Sequence, residues 1–247
     1  MTHFTEILNK LENGELRAAE KIDGEWKANT AVKEAILAAF RAGTNIQMGN
    51  YVDKDTVAPR QFKPEDGVRL VPEGSAVRRG AYVAPGVIIM PPAYVNIGAF
   101  VDEGTLVDSH ALVGSCAQIG KKVHLSAGVQ IGGVLEPIGQ RPVVIEDNVF
   151  VGAGSVIVEG IVVRKGAVLA AGVKLSKGVS VYDCVNEREL PRGADIPENA
   201  VVVAGSRPVS EKLPWAKEQG LLMSCALIIK YRDEKSEASL ALEEALR

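Results

Sequence analysis

Residues 76–131, written in sixes, read AVRRGA YVAPGV IIMPPA YVNIGA FVDEGT LVDSHA LVGSCA QIGKKV HLSAGV QI. The second place of every block is aliphatic: Val77, Val83, Ile89, Val95, Val101, Val107, Val113, Ile119, Leu125 and Ile131. The segment GGVLEPIGQRPV (132–143) breaks the register, which resumes at Ile145, Val151, Ile157, Val163, Leu169, Leu175 and Val181. An aliphatic residue is due at 137 and arrives at 145, so eight residues are extra. A repeat of six residues fits neither a helix, with a period of about 3.6, nor an isolated strand, with a period of about 2. Six residues per flat face and three faces per turn would make a coil of eighteen, its aliphatic side chains stacked inward. The sixth place is almost always Ala, Val, Thr or Ser, because a bulkier side chain would crowd the corner of a narrow prism. Gly80, Gly86, Gly98, Gly104, Gly128, Gly154, Gly160, Gly166, Gly172 and Gly178 hold the fifth place, where the chain must turn. About six coils would stack, each pairing its backbone with the next.

The composition agrees with a thin, repetitive core. Apolar residues make up 47% of the chain, aromatics only 5%, and 25 residues are glycine. A net charge of −3 offers no basic field to nucleic acid or an anionic membrane. Acidic residues come too early in MTHFTEILNKLENG for a signal peptide, and no apolar run is long enough to span a bilayer. Cys116, Cys184 and Cys225 form no CxxC pair, which points to reduced thiols and a cytoplasmic location.

Residues 1–68 read as a small N-terminal helical domain. MTHFTEILNKLE (1–12) and TAVKEAILAAFRA (30–42) have helical spacing. In the second, Val32, Ile36, Leu37 and Phe40 form the apolar stripe, with Lys33 and Glu34 on the polar side. Between them Asp23-Gly24 marks a hairpin turn. Residues 43–67 are polar and read as loop-rich. Residues 69–183 form the coil, and 184–247 a C-terminal extension. Its VVVAGSRPV and LLMSCALIIKYR read as strands, and KSEASLALEEALR as a helix capped by Ser236 or Ser239. That extension would cover the last coil, otherwise an open sheet edge.

AEKIDGEW (19–26), MPPAYVNIGAFVDEGTLVD (90–108), VGSCAQIGKKVHLSAGVQIGGVLEP (113–137) and VVIEDNVFVGA (143–153) together make this chain resemble the tetrahydrodipicolinate N-succinyltransferases. The similarity reaches ALIIK at 226–230 and so covers most of the chain. The resemblance implies a left-handed parallel β-helix of hexapeptide repeats; the period alone does not give the hand. It also implies a homotrimer with active sites between subunits. The implied reaction moves a succinyl group from succinyl-CoA, a co-substrate rather than a permanently bound cofactor, to the amino group of L-2-amino-6-oxopimelate, the ring-opened form of tetrahydrodipicolinate. That step serves the diaminopimelate and lysine pathway.

Such chemistry needs a cation for a dicarboxylate, a group to take the proton of the attacking amine, and an N–H for the thioester oxygen. Arg69, in DGVRLVP, matches the family's substrate-carboxylate arginine, a role suited to a forked donor. Asp108, in TLVDSHA, matches the aspartate that contacts the substrate amine. It follows inward Val107 and should point outward. Asp102 and Glu103 are weaker candidates at a corner.

Two positions depart from the family. His110 stands where an aromatic residue is usual, and Val156 where members carry a glutamate considered a second amine contact. VIVEG instead resembles the tetrahydrodipicolinate N-acetyltransferases, so an acetyl donor on the same acceptor is the rival reading. Glu159 could supply the missing carboxylate, Asp108 could act alone, or His110 could serve as base. His124 begins its hexad, points outward and reads as structural.

The resemblance implies that loop 132–143 projects outward and walls the acyl-CoA cleft of a neighbour. Gly132 and Gly133 would let backbone approach the pantetheine arm, as would the amides near Ala153 and Ala171. Arg164, Lys165, Lys174, Lys177, Arg188, Arg192 and Arg207 are candidates for the CoA phosphates, since no glycine-rich phosphate loop joins a strand to a helix. Glu136 and Cys116 read as structural. A metal-dependent hydratase would need three converging histidines, and His3, His110 and His124 lack that spacing. A non-catalytic scaffold is the remaining rival.

Overall fold

The computed structural model describes residues 3–232. Its centre is a three-faced prism of parallel two-residue strands. One face stacks Tyr82–Val83, Phe100–Val101, Gln118–Ile119, Val144–Ile145 and Val162–Val163. The second runs upward from Arg69–Leu70 through Ile88–Ile89, Leu106–Val107, His124–Leu125, Phe150–Val151 and Val168–Leu169. The third stacks Ala76–Val77, Tyr94–Val95, Leu112–Val113, Gln130–Ile131, Val156–Ile157 and Lys174–Leu175. Phe100 pairs with Gln118 eighteen residues on, whereas Gln118 pairs with Val144, which is eighteen plus the eight extra residues.

The second residue of each strand points inward because successive side chains alternate across a pleat. Val77, Val95, Val101, Val107, Ile119, Leu125, Ile131, Ile145 and Leu169 are fully buried in one continuous core. Burial of each such side chain contributes about 1.5–3 kcal/mol, so the ladder dominates stability. Corners use left-handed backbone, and His110 (φ 62°), Cys116 (φ 66°), Lys122 (φ 52°) and Asn148 (φ 57°) adopt it without being glycine. Gly178 does not adopt it, and there the chain leaves the coil.

Val181 was expected to continue the ladder above Val163. Instead Ile196 bridges Val163, while Ser180–Asp183 pairs in parallel with Leu222–Tyr231. Val181 is still buried in the same continuous core as the ladder, and it is only its backbone pairing that has passed to the C-terminal strand. Ala200–Pro208 takes the rung above Val168–Leu169, and Leu222–Tyr231 pairs with it antiparallel. This hairpin satisfies the sheet edge that the last coil would expose. The expected helix at 235–247 lies outside the described residues.

Helices α1 (His3–Glu12) and α2 (Thr30–Ala42) occupy the expected segments. Asn29 caps α2 by accepting the Val32 N–H at 3.2 Å. Asp23 and Gly24 both have positive φ at the turn joining Ala19–Ile22 to Glu25–Ala28. Residues 43–67, expected to be loop, contain a second hairpin, Asn45–Met48 with Tyr51–Lys54. Ile46, Tyr51 and Val52 are exposed and Met48 only half-buried, so no buried face announces it.

The N-terminal elements cover the 82–163 face. Arg17 lies 3.8 Å from the ring centre of Phe100 and 5.3 Å from that of Trp26, and its Nε donates to Gln118 at 2.9 Å. Leu8, Leu11, Val32, Ile36 and Ala39 form a second core with Ile97 and Cys116 of the prism. Lys33, expected on the polar side of α2, is fully buried. Glu34 is exposed as expected, but the Lys33 side of the helix meets loop 132–143, where Nζ reaches the Gln140 carbonyl.

Candidate active site

Arg69 and Asp108 are 39 positions apart in sequence, yet line one hollow of about 270 Å³. The parallel ladder brings them together, since Arg69 stands beside Ile88 and Ile88 beside Leu106. Ile88, Met90 and Leu106 give the hollow an apolar floor, and Gly104 and Thr105 complete it. Arg69 is exposed, and among the described residues its guanidinium has no hydrogen bond or ion pair. Asp108 is half-buried, and its Oδ1 accepts the Ser109 N–H at 2.7 Å. The other carboxylate oxygen remains available. The hollow therefore offers a forked cation and a carboxylate across an aliphatic surface, an arrangement suited to a molecule carrying an acid and an amine.

The remaining candidates do not line this hollow. His110 shares the corner that follows Asp108, is exposed, and its backbone is held by Pro92 O and Gln130 Nε2. Glu159 lies on another edge of the prism, at φ 57°, where its Oε2 accepts the Lys177 N–H at 2.8 Å. Val156 faces outward on the third face, between Gln130 and Lys174. His124 packs its ring 4.9 Å from that of Phe150. Asp102 lines the contact with the N-terminal hairpin instead, and Glu103 pairs with Lys121 at 3.1 Å.

Of the proposed phosphate contacts, Arg164 is committed elsewhere, to Asp195 at 2.6 Å and to Glu146 and Glu25. Arg188 is held by Asp183. Lys165, Lys174, Lys177 and Arg192 are exposed, and Arg207 is half-buried. The Lys177 amide already serves Glu159. Among the described residues no group of three His, Cys, Asp or Glu side chains is placed to hold a metal ion, and no helix is long and apolar enough to cross a membrane.

Sequence reasoning missed the anchoring of loop 132–143. The loop does leave the prism, but it folds back beneath α2. Leu135 packs into the N-terminal core, and Val134 N–H donates to Ser115 O at 3.1 Å. Gly114 and Gly133 lie so close that a side chain on Gly114 would collide with the Gly133 backbone, and one on Gly133 with the Ser115 amide. Arg141 donates to Gly160 O at 3.0 Å and pairs with Asp195 at 2.7 Å. Glu136, Pro137 and Gly139 remain exposed at the tip.

Residues 2–42 match the family described as tetrahydrodipicolinate N-succinyltransferase N-terminal, and residues 142–177 match the hexapeptide repeat of succinyl-transferase. A 2,3,4,5-tetrahydropyridine-2,6-dicarboxylate N-succinyltransferase of Legionella pneumophila is 44% identical, covering 99% of this chain and 87% of its own length. The Methylococcus capsulatus protein of the same name is 47% identical over 98% of this chain and 88% of its own. A Campylobacter jejuni crystal structure, provisionally named a 2,3,4,5-tetrahydropyridine-2-carboxylate N-succinyltransferase, shares the fold with a TM-score of 0.57 at 17% identity. That match covers 91% of this chain and 62% of the Campylobacter chain. Full-length identity at this level, carried through both the N-terminal hairpin and the left-handed parallel β-helix, places the chain in the 2,3,4,5-tetrahydropyridine-2,6-dicarboxylate N-succinyltransferase family.

Proposed function

We propose that this protein transfers the succinyl group of succinyl-CoA to the amine of ring-opened tetrahydrodipicolinate, with Arg69 and Asp108 binding the acceptor. The observation that carries this reading is their convergence on one hollow with an aliphatic floor. Arg69 pairs with an acceptor carboxylate, the carbon chain lies over Ile88, Met90 and Leu106, and Asp108 receives the ammonium end. Asp108 takes a proton from the amine, freeing its lone pair. The nitrogen attacks the thioester carbonyl, the C–N bond forms, the C–S bond breaks, and the second proton lost by the nitrogen passes to the departing thiolate, which leaves as CoA thiol. The anchored loop 132–143 walls the donor cleft.

A homotrimer completes the site in this reading. The N-terminal elements cover one prism face, but the other two present half-buried Ile88, Leu106, Phe150 and Val168, and Tyr94, Leu112 and Val156. Apolar ladders of this kind gain from a partner surface. Glu159 and His110 are secondary candidates that a neighbouring subunit could bring to the hollow. Free Cys116, Cys184 and Cys225 fit a reducing cytoplasm.

The test is thiol release from succinyl-CoA and from acetyl-CoA, each with and without tetrahydrodipicolinate. Acceptor-dependent release favouring succinyl-CoA supports the proposal. Release with acetyl-CoA alone would move the chain to the rival donor, and none with either would overturn the reaction.

A further inference from the structure

The side chain of Lys33 is 0% exposed. An ammonium group is costly to bury unless it is hydrogen-bonded. Its partner is not a carboxylate of the N-terminal domain but a backbone carbonyl of the distant inserted loop, with Nζ donating to Gln140 O at 2.6 Å. Cys116 of the prism, fully buried with Ile36 of the same helix, is close enough to interact with the amine electrostatically. The Cys116 thiol is pushed up to about 12 by burial and offers no anion at neutral pH. Burial likewise lowers the Lys33 amine below its usual value.

We infer that Lys33 is a positioning residue that fixes loop 132–143 against helix α2, and so sets the donor-facing wall of the active site. The two ends of this contact depend on each other. If the loop lifts, the amine loses its acceptor. If the amine is removed, the carbonyl of half-buried Gln140 loses its donor. Leu135 fastens the outgoing limb of the loop to the N-terminal core, and Arg141 fastens its return to Gly160 and Asp195. Lys33 secures the span between them, next to the exposed Glu136, Pro137 and Gly139. The loop is thus held by a helix that lies more than one hundred residues earlier in the chain.

The effect on donor binding rests on the function proposed above; the clamp itself does not. The experiment therefore has two readouts on full-length Lys33→Met, whose side chain is similar in length but cannot donate. Amide hydrogen exchange across residues 134–141 should quicken by about tenfold while the prism strands stay protected. The KM for succinyl-CoA should rise by about tenfold with acceptor KM and kcat within about twofold. Unchanged exchange in the loop overturns the clamp. Equal rises in both KM values, with exchange faster throughout the protein, would overturn positioning in favour of general stability. Should Lys33→Met fail to fold, Lys33→Leu, which likewise cannot donate to the Gln140 carbonyl, is read the same way. A wild-type protein inactive with succinyl-CoA would defeat the donor assignment alone, and the exchange measurement would still decide the clamp.

Discussion

The indole N–H of Trp26 donates to Glu146 Oε1 at 2.9 Å, joining the N-terminal hairpin to the first strand after the inserted loop. Lys21 Nζ reaches the same oxygen at 3.0 Å, and the Lys165 amide donates to Oε2 at 3.1 Å. Burial pushes the Glu146 carboxyl up, but the hydrogen bonds from Trp26, Lys21 and Lys165 outweigh it and hold the group below its usual value. This carboxylate is the polar anchor of AEKIDGEW on the prism.

Because the folded value of Glu146 is depressed, its contribution is complete above the unfolded carboxylate value of about 4.3 and is lost as pH falls through the lower folded value. Glu146→Gln should therefore destabilise the protein at neutral pH, by about 1–3 kcal/mol, and flatten its acid transition. Thermal melts of both proteins from neutral pH to strongly acidic pH check this. Parallel curves would show that the anchor does not couple to protonation.

Asp108→Asn should leave the prism folded, since only the Ser109 amide hydrogen bond is at stake, while turnover falls by about 10²–10⁴-fold. Arg69→Ala should act chiefly on acceptor KM, raising it by about 10–100-fold, because a charge-assisted hydrogen bond is removed from ground-state binding. Steady-state kinetics in both substrates separate the two. Near wild-type turnover in Asp108→Asn would sink the base assignment, and a selective loss of CoA affinity would contradict the role of Arg69.

Glu159→Gln separates the two carboxylates. Glu159 spends one oxygen on the Lys177 amide and stands on a different edge from Asp108. Its neutral replacement should keep turnover within about threefold and lower the melting temperature slightly, as loss of a charge-assisted hydrogen bond would. A collapse in kcat with an unchanged melting temperature would instead make Glu159 the second catalytic carboxylate.

Thiol labelling tests the packing around α2. Cys184 is exposed, whereas Cys116 and Cys225 are buried, with both thiols pushed up by burial. A thiolate reagent near neutral pH should modify Cys184 in the native protein and reach the other two only after unfolding. Rapid native labelling of Cys116 would mean that α2 and the loop open readily. The same assay on Lys33→Met reports whether the clamp has loosened.

The sequence by itself determined the prism, its inward ladder and the size of its interruption. Each hexad repeats the same local problem, and a period-2 pleat leaves one solution for which side chain points inward. The pairing of Arg69 with Asp108 was legible one residue at a time through family motifs, and the ladder then explained why they meet. Lys33, Val181 and the hairpin at 45–54 were not legible. Helical spacing put Lys33 on a polar face, and only the inserted loop, arriving more than one hundred residues later, encloses it. Val181 kept the hexad register, but the ten-residue strand Leu222–Tyr231 offered Ser180–Asp183 a longer pairing than another two-residue rung. Local repetition writes itself into sequence, whereas these outcomes depend on which distant segment arrives to supply a carbonyl or a strand edge. Only the tertiary structure decided them.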